Sequence, residues 1–295
     1  MRAFRRVGLG LLCVALGAVG CRDRPTRERA PAQVQRASAA MAVPGGRVGS
    51  VPRRSGANAV PDRQPLFRRA FTTPDGMPRA PDSFRRAKRR AAEVYADHLR
   101  TFYCGCEFTP KKAVDWHTCG YEPRANARRA ARIEWEHIVP AHAFGAHRGC
   151  WHDELCTREK SGKKYGGREC CRRIDDQFRR MEADLQNLVP AIGEVNGDRS
   201  NFRFDDVAGE PRKYGICDFE IDWHRRVAEP APALRGDIAR AYLYMYYAYA
   251  NALRLDADQL ARFEQWHQAD PPTAWEKLRN QRIARIQGGG NPMVE

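Results

Sequence analysis

The sequence predicts a mixed α+β fold with a largely helical periphery and disulfide-stapled loops. Three observations point there. Apolar residues recur at helical spacing over residues 83–102, 237–254 and 273–287. One short run, residues 133–139, reads Ile-Glu-Trp-Glu-His-Ile-Val; it is bulky and β-favouring, and Pro140 ends it. Eight cysteines at irregular spacings occupy the ground between these segments. Apolar residues make up 42% of the 295, enough for a core, which excludes full disorder. No apolar run reaches the ~18–20 residues of a membrane span, which excludes a multi-pass membrane protein.

The chain begins with an address. Arg2, Arg5 and Arg6 precede a charge-free stretch over residues 7–20, so residues 1–20 read as a secretory signal peptide. Two exits stay open. Ala18-Val19-Gly20 has the small-x-small pattern of ordinary cleavage, and Cys21 stands where a bacterial lipoprotein is acylated. Residues 21–82 are rich in Arg, Pro and Ala without an apolar period and read as a disordered basic linker. The formal charge is +15, of which +10 falls on residues 1–82 and +5 on residues 83–295. A polyanionic partner such as nucleic acid or an anionic membrane suits that sign. Most of the excess sits on leader and linker, so the total says little about the folded part.

From residue 83 the elements follow in order. Phe84, Ala87, Ala91, Val94, Tyr95 and Leu99 space out an amphipathic helix over 83–102. Residues 103–133 are loop-rich with short strand-like pieces, and 133–139 form a strand. Residues 141–171 read as one long stapled loop. Residues 178–188 look helical, Pro190 interrupts, and 192–202 resume as a second helical piece. Residues 219–227 are strand-like. Residues 237–254 make a strong helix whose tyrosines belong to the core. Residues 273–287 form the last helix, ended by Gly288-Gly289-Gly290.

The cysteines after the leader are Cys104, Cys106, Cys119, Cys150, Cys156, Cys170, Cys171 and Cys217. An even set in an exported chain implies up to four disulfides, with connectivity left open. Cys104 with Cys106, and Cys170 with Cys171, are each close enough to staple one short segment to two others. The rival is a zinc site from Cys104, Cys106, Cys119 and a histidine, against which the irregular spacings count.

Two stretches carry chemistry. One is Glu134-Trp135-Glu136-His137-Ile138-Val139-Pro140, an acid beside a histidine at a strand end. The other runs from Met181 to Phe202, where Glu182, Asp184, Asn187, Glu194, Asn196, Asp198, Arg199 and Ser200 crowd among core positions and so need partners or a metal. With Tyr103-Cys104-Gly105-Cys106, Cys150-Trp151, Arg235-Gly236-Asp237-Ile238-Ala239-Arg240 and Asn291-Pro292, these stretches resemble the bacterial endonuclease I family. Its members are periplasmic or secreted non-specific nucleases of the His-Me finger (ββα-metal) superfamily. The resemblance covers residues 83–295.

By motif position the resemblance implies a ββα-metal catalytic core with His137 as general base and Glu136 and Asn196 as metal ligands. It implies that Arg168 holds the cleaved phosphate and that Glu182 supports the site. The residue types suit the chemistry. Neutral imidazole, with a pKa near ~6.5, accepts water's proton at physiological pH. Mg²⁺ takes one or two hard oxygen ligands and keeps waters, and Mn²⁺ or Ca²⁺ can stand in its place. The implied protein is an exported, monomeric, Mg²⁺-dependent endonuclease, periplasmic or extracellular, with the lipid anchor through Cys21 as the variant. It would act on DNA and also RNA through contacts made mainly to phosphate. The alternatives are a non-catalytic DNA-binding or uptake module on the same scaffold, and a disulfide-rich envelope protein.

Overall fold

A computed structural model describes residues 61–71, 73–209, 211–249 and 252–294. The expectations for residues 1–20, the Cys21 exit and the linker up to residue 60 lie outside the described residues.

The linker reading is corrected at its C-terminal end. Helix α1 (Gln64–Ala70) falls inside residues 21–82, opened by a proline in its first turn. Phe67 is buried against the rings of Tyr244 and Tyr247, at 6.0 and 5.4 Å. Arg63 forks onto Glu264 at 2.8 Å through both Nε and Nη2. One aromatic anchor and one bidentate ion pair order a segment that composition alone assigns to solvent.

Helix α2 (Phe84–Val94) starts at Ser83, whose side chain accepts from the amide of Arg86, and buries Ala87, Ala91 and Val94. It is shorter than its apolar period suggests, because the chain turns after Val94. A small hairpin, β1 (Glu107–Phe108) with β2 (Val114–Asp115), and a helical turn α3 (Ala127–Ala130) lead into strand β3 (Ile133–His137).

Residues 141–171 are not one loop. They hold α4 (Ala141–Gly145), α5 (Gly149–His152), the hairpin β4 (Cys156–Thr157) with β5 (Lys164–Tyr165), and the start of α6 (Gly167–Ile174). Two bridges, Cys150–Cys171 and Cys156–Cys170, tie these short pieces to α6. Cys104–Cys217 and Cys106–Cys119 do the same around the β1–β2 hairpin. Each close cysteine pair thus staples two segments, and no thiolate is left for the zinc reading.

Helix α7 (Asp176–Ala183) follows, capped by Asp175. The expected continuation of that helix to residue 188 is corrected. Residues 188–192 are strand β6 (Leu188–Ile192), antiparallel to β3 with Trp135 opposite Pro190. Proline is tolerated here for a geometric reason. The carbonyl of Pro190 accepts from the amide of Phe102, so it points away from β3. In an antiparallel strand a residue's nitrogen points the same way as its carbonyl, and the β3–β6 ladder loses nothing.

Helix α8 (Gly193–Arg199) departs directly from β6. A three-stranded sheet comes next, with β9 (Val227–Pro230) between β7 (Arg203–Phe204) and β8 (Phe219–Asp222). Residues 219–227 are therefore a strand and a turn. Three helices close the chain: α9 (Arg235–Ala248), α10 (Ala257–Ala269) and α11 (Ala274–Gln287). The α10 segment was not singled out by its sequence; it is held by an Asp256–Gln259 capping box and buries Phe263 and Trp266.

Eleven of the fourteen residues of α9 are buried, so it is a core helix, with the buried Arg240 paired to Glu276. Its polar tips converge on Asp184. Tyr244 and Tyr249 donate to Asp184 Oδ2 at 2.9 and 2.7 Å, and Gln287 Nε2 donates to Oδ1 at 3.0 Å. One buried carboxylate thus joins α9, the end of α11 and the lead into β6.

Asp184→Ala leaves four buried donors without an acceptor, the backbone amide of Gln186 among them. Urea unfolding is expected to show a loss of about 3 kcal/mol or more; an unfolding midpoint equal to the wild type's contradicts this account.

Candidate functional site

Strand β3, strand β6 and helix α8 form a ribbon with a helix laid against it. A cleft of about 480 Å³ opens beside this unit. Glu134, Glu136, His137, Arg168 and Asn196 all line it, as does Phe84 from the start of α2.

His137 ends β3 and is buried. Its Nε2 lies 2.8 Å from the backbone carbonyl of Glu182. A carbonyl only accepts, so Nε2 must carry the proton and Nδ1 keeps its lone pair. Burial first, and the nearby Arg168 charge second, push the imidazole pKa down to about 4. The ring is therefore neutral at physiological pH. Phe84 flanks it at 4.9 Å between ring centroids.

Glu136 is buried on the same strand. Tyr103 and Arg199 both donate to its Oε1, at 3.0 and 2.9 Å, and among the described residues its Oε2 takes no side-chain hydrogen bond. Burial pushes this carboxyl upward, and Arg199 and Tyr103 oppose the push. Asn196 sits on α8, and its Nδ2 donates to Glu134 Oε2 at 3.0 Å. With the amide nitrogen engaged, Asn196 Oδ1 is turned away from Glu134. The site thus offers two hard oxygens, one carboxylate and one amide. Among the described residues no three His, Cys, Asp or Glu side chains converge into a fuller cage. That sparse set fits an ion that keeps most of its waters.

Arg168, in the first turn of α6, gives its Nε to Glu182 Oε1 at 2.5 Å. Arg172, one turn on, forks onto the same carboxylate at 2.6 and 2.5 Å. Glu182 is fully buried, and the two guanidiniums outweigh the effect of burial and hold its pKa low. Among the described residues nothing takes the terminal nitrogens of Arg168, which remain available to an anion in the cleft.

All five site residues named from the sequence therefore surround one neighbourhood. Glu182 does so through its backbone carbonyl and through Arg168. Asn187 is structural: its side-chain amide bonds both N and O of Val139 and extends the β3–β6 ladder by one step. Asn201 accepts from Arg226.

Two residues of these stretches are given no role of their own by the sequence. Arg199 is fully buried and donates to Glu136 Oε1, to the His137 carbonyl at 2.9 Å and to the Ile138 carbonyl at 2.6 Å. Its signal was a cation four residues after the core residue Val195, on the same helix face. Glu134 accepts a fork from Arg129 at 2.9 and 2.6 Å and orients Asn196. Its signal was its place two residues before Glu136, on the same face of the strand.

The close approach of α8 to this network depends on glycine. A Cβ at Gly193 would lie 2.6 Å from the Arg129 backbone oxygen and 3.1 Å from Glu134 Oε1. A Cβ at Gly197 would meet the Arg129 guanidinium, a movable side-chain end.

The family model described as Endonuclease I matches residues 84–295. An extracellular deoxyribonuclease of Aeromonas hydrophila is 48% identical over 217 residues, covering 72% of this chain and 88% of that protein. A periplasmic deoxyribonuclease of the same organism is also 48% identical, over 72% of this chain and 85% of its own length. Endonuclease-1 of Buchnera aphidicola subsp. Acyrthosiphon pisum is 39% identical, over 72% and 80% respectively.

Gly193→Ala should lower stability by about 1–3 kcal/mol, because backbone cannot step aside. Gly197→Ala should cost less, because the Arg129 side chain can move. Equal losses in thermal melts of the two variants would contradict this reading of the α8 contact.

Proposed function

We propose that this chain, which belongs to the endonuclease I family and is a nuclease, hydrolyses the phosphodiester backbone of DNA with His137 as general base. The observation that carries the proposal is the hydrogen bond from His137 Nε2 to the Glu182 carbonyl, which leaves Nδ1 unprotonated at the cleft. Nδ1 takes a proton from the water that attacks phosphorus, and the bond to the 3′ oxygen breaks. The burial that depresses the imidazole keeps it neutral and ready for this role.

Glu136 Oε2 and Asn196 Oδ1 are the atoms to hold a divalent ion, Mg²⁺ first and Mn²⁺ or Ca²⁺ on the same oxygens. When bound, such an ion relieves charge on the phosphorane and on the leaving oxygen. Arg168 clamps a non-bridging phosphate oxygen with its free terminal nitrogens. Glu182 and Arg172 position Arg168 and do not react. The antiparallel β3–β6 pair running directly into α8 supports the ββα-metal (His-Me finger) reading of this core.

None of these groups needs to read a base, so little sequence preference is expected, and RNA presents the same phosphodiester. One chain supplies every group, so a monomer suffices. The charged start of the chain and its four disulfides favour export to the periplasm or beyond. The two Aeromonas hydrophila relatives, an extracellular and a periplasmic deoxyribonuclease, are in keeping with that compartment.

A plasmid nicking assay tests the mechanism. Oxidised wild type should nick supercoiled DNA with Mg²⁺ and not with chelator. His137→Ala should lose about 10²–10⁴-fold in rate while its affinity for DNA in chelator stays the same. No metal-dependent cleavage by wild type overturns the enzyme mechanism. Equal cleavage by the variant removes only His137 from the role of base.

A further inference from the structure

We propose that the free cationic face of α2 docks the phosphate backbone of duplex DNA beside the cleft, a reading that rests on the nuclease mechanism above. Helix α2 divides into three sectors at 100° per residue. Ala87, Ala91 and Val94 face the core. Arg86 and Arg90 face solvent and are neutralised by Asp82 and Glu93. Arg85, Lys88 and Arg89 share the remaining sector. Arg85 and Arg89 are exposed, and among the described residues no carboxylate pairs with any of the three.

This third sector adjoins the site. Lys88 Nζ lies 4.8 Å from the ring centre of Phe84. The same ring lies 4.9 Å from the His137 ring and 5.5 Å from the Arg168 guanidinium carbon. Positive charge without a carboxylate partner among the described residues therefore runs from Arg89 and Arg85 through Lys88, and across Phe84 it meets Arg168, which is paired with Glu182 through Nε alone. Arg85 and Arg89 are one turn apart, ~6 Å along the axis, close to two phosphate steps of ~3.4 Å each on one strand. Beyond Phe84 the apolar residues of α2 are Ala87, Ala91 and Val94, which are buried, and one exposed alanine, Ala92, so the helix lacks the broad exposed apolar face of a membrane-surface helix. Duplex DNA entering the cleft is the polyanion that fits.

The test compares two charge-matched pairs on the same helix. Oxidised full-length R85Q/R89Q and R86Q/R90Q are titrated in chelator against a labelled duplex across roughly 50–200 mM salt, where each phosphate contact contributes about 0.9 to the slope of log K against log salt. The slope should fall by about 1.8 in R85Q/R89Q and stay at the wild-type value in R86Q/R90Q. Equal falls in both pairs mean that net charge alone matters and overturn the proposal. No fall in R85Q/R89Q, with wild type cutting plasmid normally, overturns this surface and leaves the nuclease mechanism standing. A wild type that neither binds nor cuts DNA overturns both. Phosphatidylglycerol vesicles serve as the rival polyanion: loss of vesicle binding by R85Q/R89Q with the DNA slope unchanged assigns the face to membrane and overturns the proposal.

Discussion

The site depends on a charge sealed inside the protein. Arg199 has no exposed surface, and its neutralising partner is Glu136, itself buried. Taking two ions out of water costs several kcal/mol for each, which is recovered only if the geometry is good and the remaining donors are satisfied. Arg199 meets most of that demand with its terminal nitrogens, which also reach the carbonyls of His137 and Ile138; among the described residues its buried Nε has no hydrogen-bond partner. Its guanidinium carbon also lies 4.6 Å from the ring centre of Phe204. One side chain on α8 thereby fixes the carboxylate, the end of β3 and the packing of β7. The structure cannot shift α8 along β3 without leaving a buried charge unmatched.

A second constraint comes from the other side of the ribbon. From the end of α7 to the start of β6 three residues each hold a different part. The carbonyl of Glu182 sets the imidazole, the carboxylate of Asp184 gathers α9 and α11, and the amide of Asn187 prolongs the ladder to Val139. Arg279 adds its Nη2 to the carbonyls of Leu185, Gln186 and Leu188. The histidine is thus set by backbone anchored to the core, and a mobile side chain plays no part in its orientation.

Much of this was legible in the amino-acid order. Thr273 and Gly288 bound the last helix as their types predict, with a capping box at one end and φ 73° at the other. The run from Ile133 ended as a strand ahead of Pro140, and the two close cysteine pairs each reached two segments. The strand at Leu188–Ile192 was not legible, because a proline in a strand is excused only by which way its carbonyl faces. Helix α1 was hidden by its surroundings, since one phenylalanine and one arginine in a basic, proline-rich stretch leave no periodic signal. At the site, Glu136, His137 and Asn196 were pointed to by the family resemblance, and the structure brings all three to one cleft. Arg199 and Glu134 carried only a positional signal, because whether a charge is buried or solvated is decided by the neighbours that the fold brings to it, Tyr103 at Glu136 and Arg129 at Glu134.

The bond from His137 to the Glu182 carbonyl carries one further consequence, for the path of protons. A carbonyl oxygen orients an N–H but is too weak a base to carry its proton onward. The imidazole is therefore a dead end on its inner side, in contrast to a histidine backed by a carboxylate. Whatever proton reaches Nδ1 from the cleft must leave through the same mouth, by exchange with solvent or with the departing product. In the proposed mechanism, resetting the base then runs through the open side of the cleft and not through the protein interior.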